Sequence, residues 1–393
     1  MTYNFVENLD LVGKSVFLRL DLNVPLNERG EITDATRIEK SLPVIKHILK
    51  STNKLVIASH LGRPKGKPDP KYSLEVVGKK LAEMLKIEVA FVPDYIKAPV
   101  DQLLNQLGKN RIILLENLRF YPDETENKSE FAAKLSKGID IYINDAFGAM
   151  HRAHASVAAL AEKFPRDRKA IGFLVKQELQ ALSKIRDHAE VPFTLVIGGS
   201  KVSDKVAVLL NLINTCNNIV IGGAMAYAFL KYQGKEVGRS LCEDNVDRMV
   251  QSILTNAQSR KVGIYLPEDH ICAKDFKDEE GQIFESIPSD MMALDIGPRT
   301  LERFKNIIAA SKTVFWNGPL GVFEKPGFRR GTLGVAETIS KTDCFSVAGG
   351  GDSIAAINLA GLASKFGHIS TGGGASLEYL EGKTLPGLRS IQI

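Results

Sequence analysis

The chain has 393 residues, more than one typical domain, and its 44% hydrophobic and 25% charged content is that of an ordinary globular protein. With 51 Lys and Arg against 46 Asp and Glu, the net charge of +5 is too mild to mark a nucleic-acid binder, though it suits anionic substrates. No apolar run approaches the ~20 residues of a membrane helix, so no membrane partner is expected, and MTYNFVENLD lacks the basic-then-apolar order of a signal peptide.

In chain order, the first predicted strand is SVFLRL, running on into DLNVP. Leu18, Leu20, Leu22 and Val24 alternate there with Arg19, Asp21 and Asn23, the period of a strand. DATRIEKSLPVI is predicted to be helical, with Arg37 at its start. KLVIASH, RIILLEN and DIYINDAF are the next strands, separated by helical patterns, which predicts βαβ units and a mainly parallel sheet. In such sheets ligands bind beyond the carboxyl ends of strands. The residues found there are Asp21 and Asn23, then His60 and Arg63, then Arg119, then His151 and Arg152. Together with Arg37 they predict a convergent anion site, because the planar guanidinium binds carboxylate or phosphate through paired hydrogen bonds. Arg19, further back in its strand, is expected to be structural, as an ion-pair partner within the sheet. His151 and His154 form an HxxH pair with no third ligand at useful spacing, so no metal is expected there.

Residues 174–192, LVKQELQALSKIRDHAEVP, carry Val175, Leu179, Leu182 and Ile185 at helical spacing ahead of Pro192. They are predicted to form a connecting helix and hinge. Beyond it come FTLVIGG, NIVIGG, VGIYLP, TVFWNG and FSVAGGG. This is too many strands for one open sheet, so the predicted fold is α/β with two domains, helices covering both faces of each sheet.

In the second half the strands run directly into glycine. Gly198, Gly199, Ser200 and Lys201 follow one, with Asp204 and Lys205 a turn later. Gly222 and Gly223 follow another. Gly349, Gly350, Gly351, Asp352 and Ser353 precede a helix, as do Gly372, Gly373 and Gly374. Glycine lets a backbone approach a ligand, and a following helix aims its positive end at phosphate, so a polyphosphate ligand is expected. The generic fingerprints are absent: no GxGxxG follows a strand, and GKT at 382–384 has Leu377 where a Walker A loop needs glycine. WNGPLGVFE adds Asn317 and Glu324, the latter suited to ribose hydroxyls or to a helix cap. Cys216, Cys242, Cys272 and Cys344 lie far apart and are expected to be reduced thiols of a cytoplasmic protein.

The strings RLDLNVP, SHLGRP, LLENLRF, NDAFGAMHRAHAS, GGSKVSDK, IGGAMAYAF, WNGPLGVFE, GGGDS and STGGGASLEYLEGK occur in this order. With them the chain closely resembles bacterial-type phosphoglycerate kinases over essentially its whole length. The resemblance implies reversible phosphoryl transfer from 1,3-bisphosphoglycerate to ADP, giving 3-phosphoglycerate and ATP. It implies Mg²⁺ carried with the nucleotide, no prosthetic group, and a monomer. It also implies two Rossmann-like domains facing each other across a cleft that closes for in-line transfer. Residues 1–173, with a returning tail 377–393, would hold the glycerate, and residues 193–376 the nucleotide.

Carried over onto this sequence, Asp21 and Asn23 would meet the glycerate hydroxyl and carboxyl end. Arg63, Arg119 and Arg152 would bind its 3-phosphate, with His60 nearby, and Arg37 would sit at the reacting carboxyl. Lys201 would contact the phosphoryl group in transit, with Lys205 close by. Asp352 would meet the nucleotide-bound Mg²⁺, Ser353 a phosphate and Glu324 the ribose. Gly222, Gly223, Gly350, Gly351 and Asn317 would line the nucleotide site, and the N–H groups of Gly372 and Gly373 would face the transferred group. The departures from the family pattern, Ser200, Ser353, Met150 and ETENKSEF, remove none of these charges. A non-catalytic nucleotide-binding protein on the same fold is the alternative, and the full set of charged positions speaks against it.

Overall fold

The computed structural model describes residues 2–97, 99–105 and 112–393. The chain divides into two compact units, Met1–Leu179 with Thr384–Ile393, and Gln180–Lys383. The division falls inside a helix, Phe173–Asp187, with Val175, Leu182 and Ile185 buried along it.

Unit one is built on a six-stranded sheet: β1 Ser15–Leu20, β2 Lys54–Ala58, β3 Val89–Val92, β4 Ile112–Leu115, β5 Ile141–Asp145 and β6 Lys169–Ile171. The order is β3-β4-β2-β1-β5-β6 and every neighbouring pair is parallel. All six residues of β1 are buried, because it lies inside the sheet rather than at an edge. Apolar residues from β1, β2, β4, β5 and helix Thr36–Leu49 form the core on one face, including Val16, Leu18, Ile45, Ile57 and Leu114. The predicted run RIILLEN corresponds to β4, its first residue Arg111 lying outside the described residues.

Unit two contains β7 Phe193–Ile197, β8 Asn218–Ile221, β9 Gly263–Tyr265, β10 His270–Ala273, β11 Gln282–Phe284, β12 Met292–Ile296, β13 Thr313–Asn317, β14 Phe345–Gly349 and β15 His368–Ile369. Six of them make a parallel sheet in the order β15-β14-β13-β7-β8-β9. Counting only those six, this is the doubly wound dinucleotide-fold order, with the reversal between β7 and β13. In unit one the order differs, since β4 lies between β3 and β2. Three short strands form a separate antiparallel sheet, β11-β10-β12, which the sequence reading does not anticipate.

The chain returns to unit one at its end. Gly387 N–H donates to the Met150 carbonyl at 2.9 Å, and Lys169 Nζ donates to the Ser390 carbonyl at 2.8 Å. A Cβ at Gly387 would meet Met150 Cγ at 2.9 Å, so Met150 is the floor on which the last helix, Pro386–Ile391, packs. Helix Gly374–Leu380 stays with unit two, where Asn211 Nδ2 donates to the Leu380 carbonyl at 2.5 Å.

Asp145, at the end of β5, is buried beneath the start of helix Phe173–Asp187, and its Oδ1 accepts the Val175 N–H at 3.0 Å. Burial pushes its carboxyl up to about 7, against the pull of the Val175 and Leu174 N–H groups. An unfolded Asp titrates near ~3.9, so the stabilising protonated form is complete below that value and its contribution is lost as pH rises through the folded pKa. Asp145→Asn cannot ionise. Its melting temperature relative to wild type is expected to climb between pH ~4 and ~7 and then level off. Thermal melts showing a constant difference across that range would overturn the assignment.

Candidate active site

In unit one, the cluster is assembled by four loops at the carboxyl ends of β1, β2, β4 and β5, plus the first turn of helix Thr36–Leu49. Asp34 Oδ1 accepts the Thr36 N–H at 2.8 Å and starts that helix. Arg37 follows, where the helix dipole disfavours a cation, and the Asp21 carboxylate pairs with it. Asn23 Oδ1 accepts the Gly62 N–H at 2.8 Å, and Arg119 Nη1 donates to the Gly62 carbonyl at 2.8 Å. The loops after β1 and β4 thus clamp the loop after β2. Gly62 has φ +60 and a Cβ there would meet the Tyr72 ring at 2.3 Å, so only glycine fits the clamp. Arg63 comes next and is exposed. After β5, Arg152 Nε donates to His151 Nε2 at 3.1 Å.

The electrostatics tie these groups together. Burial first, then the charges of Arg19, Arg119 and Arg37 and the neighbouring His154, hold His60 well below the ordinary histidine pKa. His154 is pushed down to about 3 by burial and then by Arg119, Arg19 and Arg152. Arg119 is lowered to about 10 by burial and then by Arg19 and Arg152, with Glu124 and Asp21 opposing. Cations that destabilise one another share a neighbourhood, and an anion placed among them relieves that repulsion.

Arg19 departs from expectation. No carboxylate pairs with it among the described residues; its sheet neighbours are Ala58 and Asn144. Fully buried, it donates instead to the Leu20 carbonyl, to Ser156 Oγ at 2.9 Å through Nε, and faces His60 Nδ1 at 3.1 Å through Nη2. Ser156 Oγ in turn donates to Glu124 Oε1 at 2.6 Å, and the Ser156 N–H to Glu124 Oε2 at 2.8 Å. The sequence reading misses this supporting layer. It also misses Ser59, which accepts the Leu22 N–H, and Asn117, which donates to the Leu61 and Tyr72 carbonyls.

In unit two, the reversal of strand order between β7 and β13 opens a cavity of about 220 Å³ walled by Gly198, Gly199, Lys201, Gly318, Asp352 and Ser353, among others. That is below the ~300 Å³ of a typical small-molecule pocket, and it suits a phosphate chain rather than a whole nucleotide. The strand ends touch through bare backbone: Gly198 N–H donates to the Asn317 carbonyl at 3.0 Å and Gly199 N–H to the Pro319 carbonyl at 2.9 Å. A Cβ on Gly198 would lie 2.1 Å from the Pro319 carbonyl oxygen.

Lys205 donates to Asn317 Oδ1, and Asn317 Nδ2 donates to the Gly349 carbonyl at 2.8 Å. Burial lowers the Lys205 pKa while Asp204 and Asp352 raise it. Gly350, at φ +91, begins helix Gly351–Leu359, and the first N–H groups of a helix have no partner within it and favour an anion. Ser353 Oγ accepts the Gly318 N–H at 2.6 Å.

Not every expected residue lines the cavity. Gly223, at φ +65, packs behind it, where a Cβ would meet Gly199 N at 2.7 Å, and Gly222 lies against the Leu320 side chain. Glu324 and Gly373 are exposed and outside the cavity wall, and Gly372 is buried and also outside it. Gly372 N–H donates to Ser370 Oγ at 3.3 Å.

Comparisons with known proteins show the family of the chain. The phosphoglycerate kinase family model matches residues 6–383. The chain is 48% identical over 397 residues to the phosphoglycerate kinase of an Anaeromyxobacter species, covering 100% of both. It is 48% identical over 398 residues to that of Acidobacterium capsulatum, covering 98% of both. Among solved structures, phosphoglycerate kinase from Coxiella burnetii aligns with a TM-score of 0.89 at 35% identity, covering 99% of each chain. That from Pyrococcus horikoshii aligns with a TM-score of 0.79 at 32% identity, covering 98% of each. A family match over nearly the full length, carried by close relatives and by the fold, leaves one conclusion: the chain belongs to the phosphoglycerate kinase family.

Proposed function

We propose that the two clusters divide the substrates of this family's reaction, the reversible transfer of a phosphoryl group from 1,3-bisphosphoglycerate to ADP. Unit one takes the glycerate on Asp21, Asn23, Arg37, His60, Arg63, Arg119 and Arg152. Unit two takes the nucleotide phosphates on Lys201, Lys205, Ser353 and the helix start at Gly350 and Gly351, with Glu324 for the ribose. Gly222 and Gly223 shape that site from behind, and Asn317 steadies Lys205. The observation that carries this reading is the glycine-walled cavity at the reversal of strand order in unit two, lined by an exposed lysine, a carboxylate and a hydroxyl.

The carboxylate of Asp352, at the cavity wall, is a hard oxygen donor of the kind Mg²⁺ takes when most of its shell is water and phosphate oxygen. Asp352 would hold Mg²⁺, which neutralises phosphate charge when bound. The protein's own residues do the rest. In the ATP-consuming direction the nucleophile is a carboxylate, ionised far above its ~3.5 pKa, so no general base is needed. Arg37 orients that carboxylate, Lys201 and the N–H groups near Gly373 follow the transferred group, and Asp21 holds Arg37 in place. Transfer requires the two half-sites to be brought together and water to be shut out, so that the acyl phosphate is not hydrolysed. Helix Phe173–Asp187, where the units divide, is the proposed hinge.

ATP-dependent phosphorylation of 3-phosphoglycerate, with Mg²⁺ omitted and then restored, tests this reading. Activity is expected to vanish and return. Undiminished turnover without a divalent cation, or equal use of acetate or aspartate, would overturn it. Arg63→Ala is expected to raise the KM for 3-phosphoglycerate ~10-fold or more, the scale of one charge-assisted hydrogen bond, and to leave the nucleotide KM unchanged. A shift in the nucleotide KM instead would reassign Arg63.

We propose a cytoplasmic monomer, its four thiols free. Light scattering at 43.1 kDa checks the monomer.

A further inference from the structure

We propose that Arg19 is a positioning residue that locks His60 in its neutral Nε2–H tautomer, so that His60 meets the glycerate as an uncharged donor. The argument starts from what a guanidinium can do. Arginine carries only donors, so the ring nitrogen facing it must be an acceptor. Arg19 Nη2 lies 3.1 Å from His60 Nδ1, inside the protein. Nδ1 is therefore bare and the single ring proton sits on Nε2, which has no protein partner among the described residues.

Arg19 cannot turn away. Its Nη1 donates to the Leu20 carbonyl and its Nε to Ser156 Oγ, which Glu124 holds through both carboxylate oxygens. The other charged or titratable groups acting on His60 push the same way: Arg37 from helix Thr36–Leu49, Arg119 from the loop after β4 and His154 from the loop after β5. Asp21 is engaged by Arg37, and Glu124 lies on the far side of Ser156. A second proton on His60 would set an N–H against the Arg19 N–H at the same spot. The arginines thus supply the charge for the glycerate, and His60 supplies direction.

This rests on assigning the first cluster to the glycerate. The test uses the full-length chain carrying isotope-labelled histidine, followed by long-range proton–nitrogen NMR, with His60 identified by the signal missing in His60→Gln. From about pH 5.5 to about pH 8.5, either side of the ordinary ~6.5, His60 is expected to show a protonated Nε2 and a bare Nδ1, unchanged. A protonated Nδ1, or an imidazolium appearing near pH 6.5, would overturn the proposal. These spectra need no Arg19 variant, so they decide the matter even where Arg19→Met does not fold.

Where it folds, His60 loses the donor that faces Nδ1, and a share of the Nδ1–H tautomer is expected beside Nε2–H, burial still opposing a second proton. Arg19→Lys, also a donor only, is expected to restore Nε2–H alone. An unchanged tautomer in Arg19→Met would overturn the link to Arg19. Adding 3-phosphoglycerate to the wild type separates the two assignments. A His60 signal that does not move would sink the glycerate reading while leaving the tautomer result standing.

Discussion

Lys201→Ala is expected to lower kcat by ~10²-fold or more, the scale for losing one preorganised charge at a transition state, while the KM for each substrate changes little. The reason lies in how the two lysines after β7 are held. Lys205 is half-buried and donates to Asn317 Oδ1, which is itself pinned to the Gly349 carbonyl. It is fixed in the wall. Lys201 is exposed, makes no ion pair among the described residues, and reaches the same cavity from the loop after Gly199, at φ +105. Of the two, only Lys201 can follow a phosphoryl group as its charge moves between donor and acceptor. Steady-state kinetics on the variant check this. Turnover near wild type would remove Lys201 from the chemistry, and a raised ATP KM at unchanged kcat would make it a binding residue alone.

Gly318→Ala is the other large effect, and it acts through shape. Gly318 has φ +99, a conformation that L side chains rarely adopt, and a Cβ there would lie 2.2 Å from the Gly198 carbonyl oxygen. Its N–H donates to Ser353 Oγ at 2.6 Å and its carbonyl accepts the Trp316 indole N–H at 2.8 Å, so the residue cannot slide aside without breaking both. The added methyl must part the ends of β7 and β13, where the cavity opens. Backbone strain of ~1–3 kcal/mol plus the clash should lower the stability of unit two by a few kcal/mol. ATP affinity should fall by more than tenfold. Binding of 3-phosphoglycerate should be unchanged, because the residues proposed for it belong to unit one. Calorimetry on both ligands and a thermal melt read this out. Normal ATP binding in a normally melting variant would show that the glycine contact does not shape the site.

What the sequence made legible divides by range. Strands such as SVFLRL, DIYINDAF and TVFWNG announce themselves locally, and the cations and glycines that follow them are visible because they follow them. VAFV in β3 and KAI in β6 are too short and too weakly patterned to stand out, and the β11-β10-β12 sheet is built from three- to five-residue strands around a polar hairpin. The supporting layer of the first cluster was hidden for another reason. Arg19 and Ser156 are 137 residues apart, and Ser156 and Glu124 are 32 apart. A buried polar chain of that kind has no periodicity. Arg19 read as structural because its charge stood inside a strand, and the missing fact was that its partner is a histidine of the site.

The chain passes from unit one to unit two within helix Phe173–Asp187 and comes back at Thr384. Unit two is therefore an interruption in unit one. During synthesis the N-terminal domain usually folds first. Here residues 2–179 emerge early but still lack the segment that covers Met150 and takes up the Lys169 ammonium. Every residue of unit two leaves the ribosome before that segment does, so unit one gains its Met150 and Lys169 contacts only after all of unit two has been made.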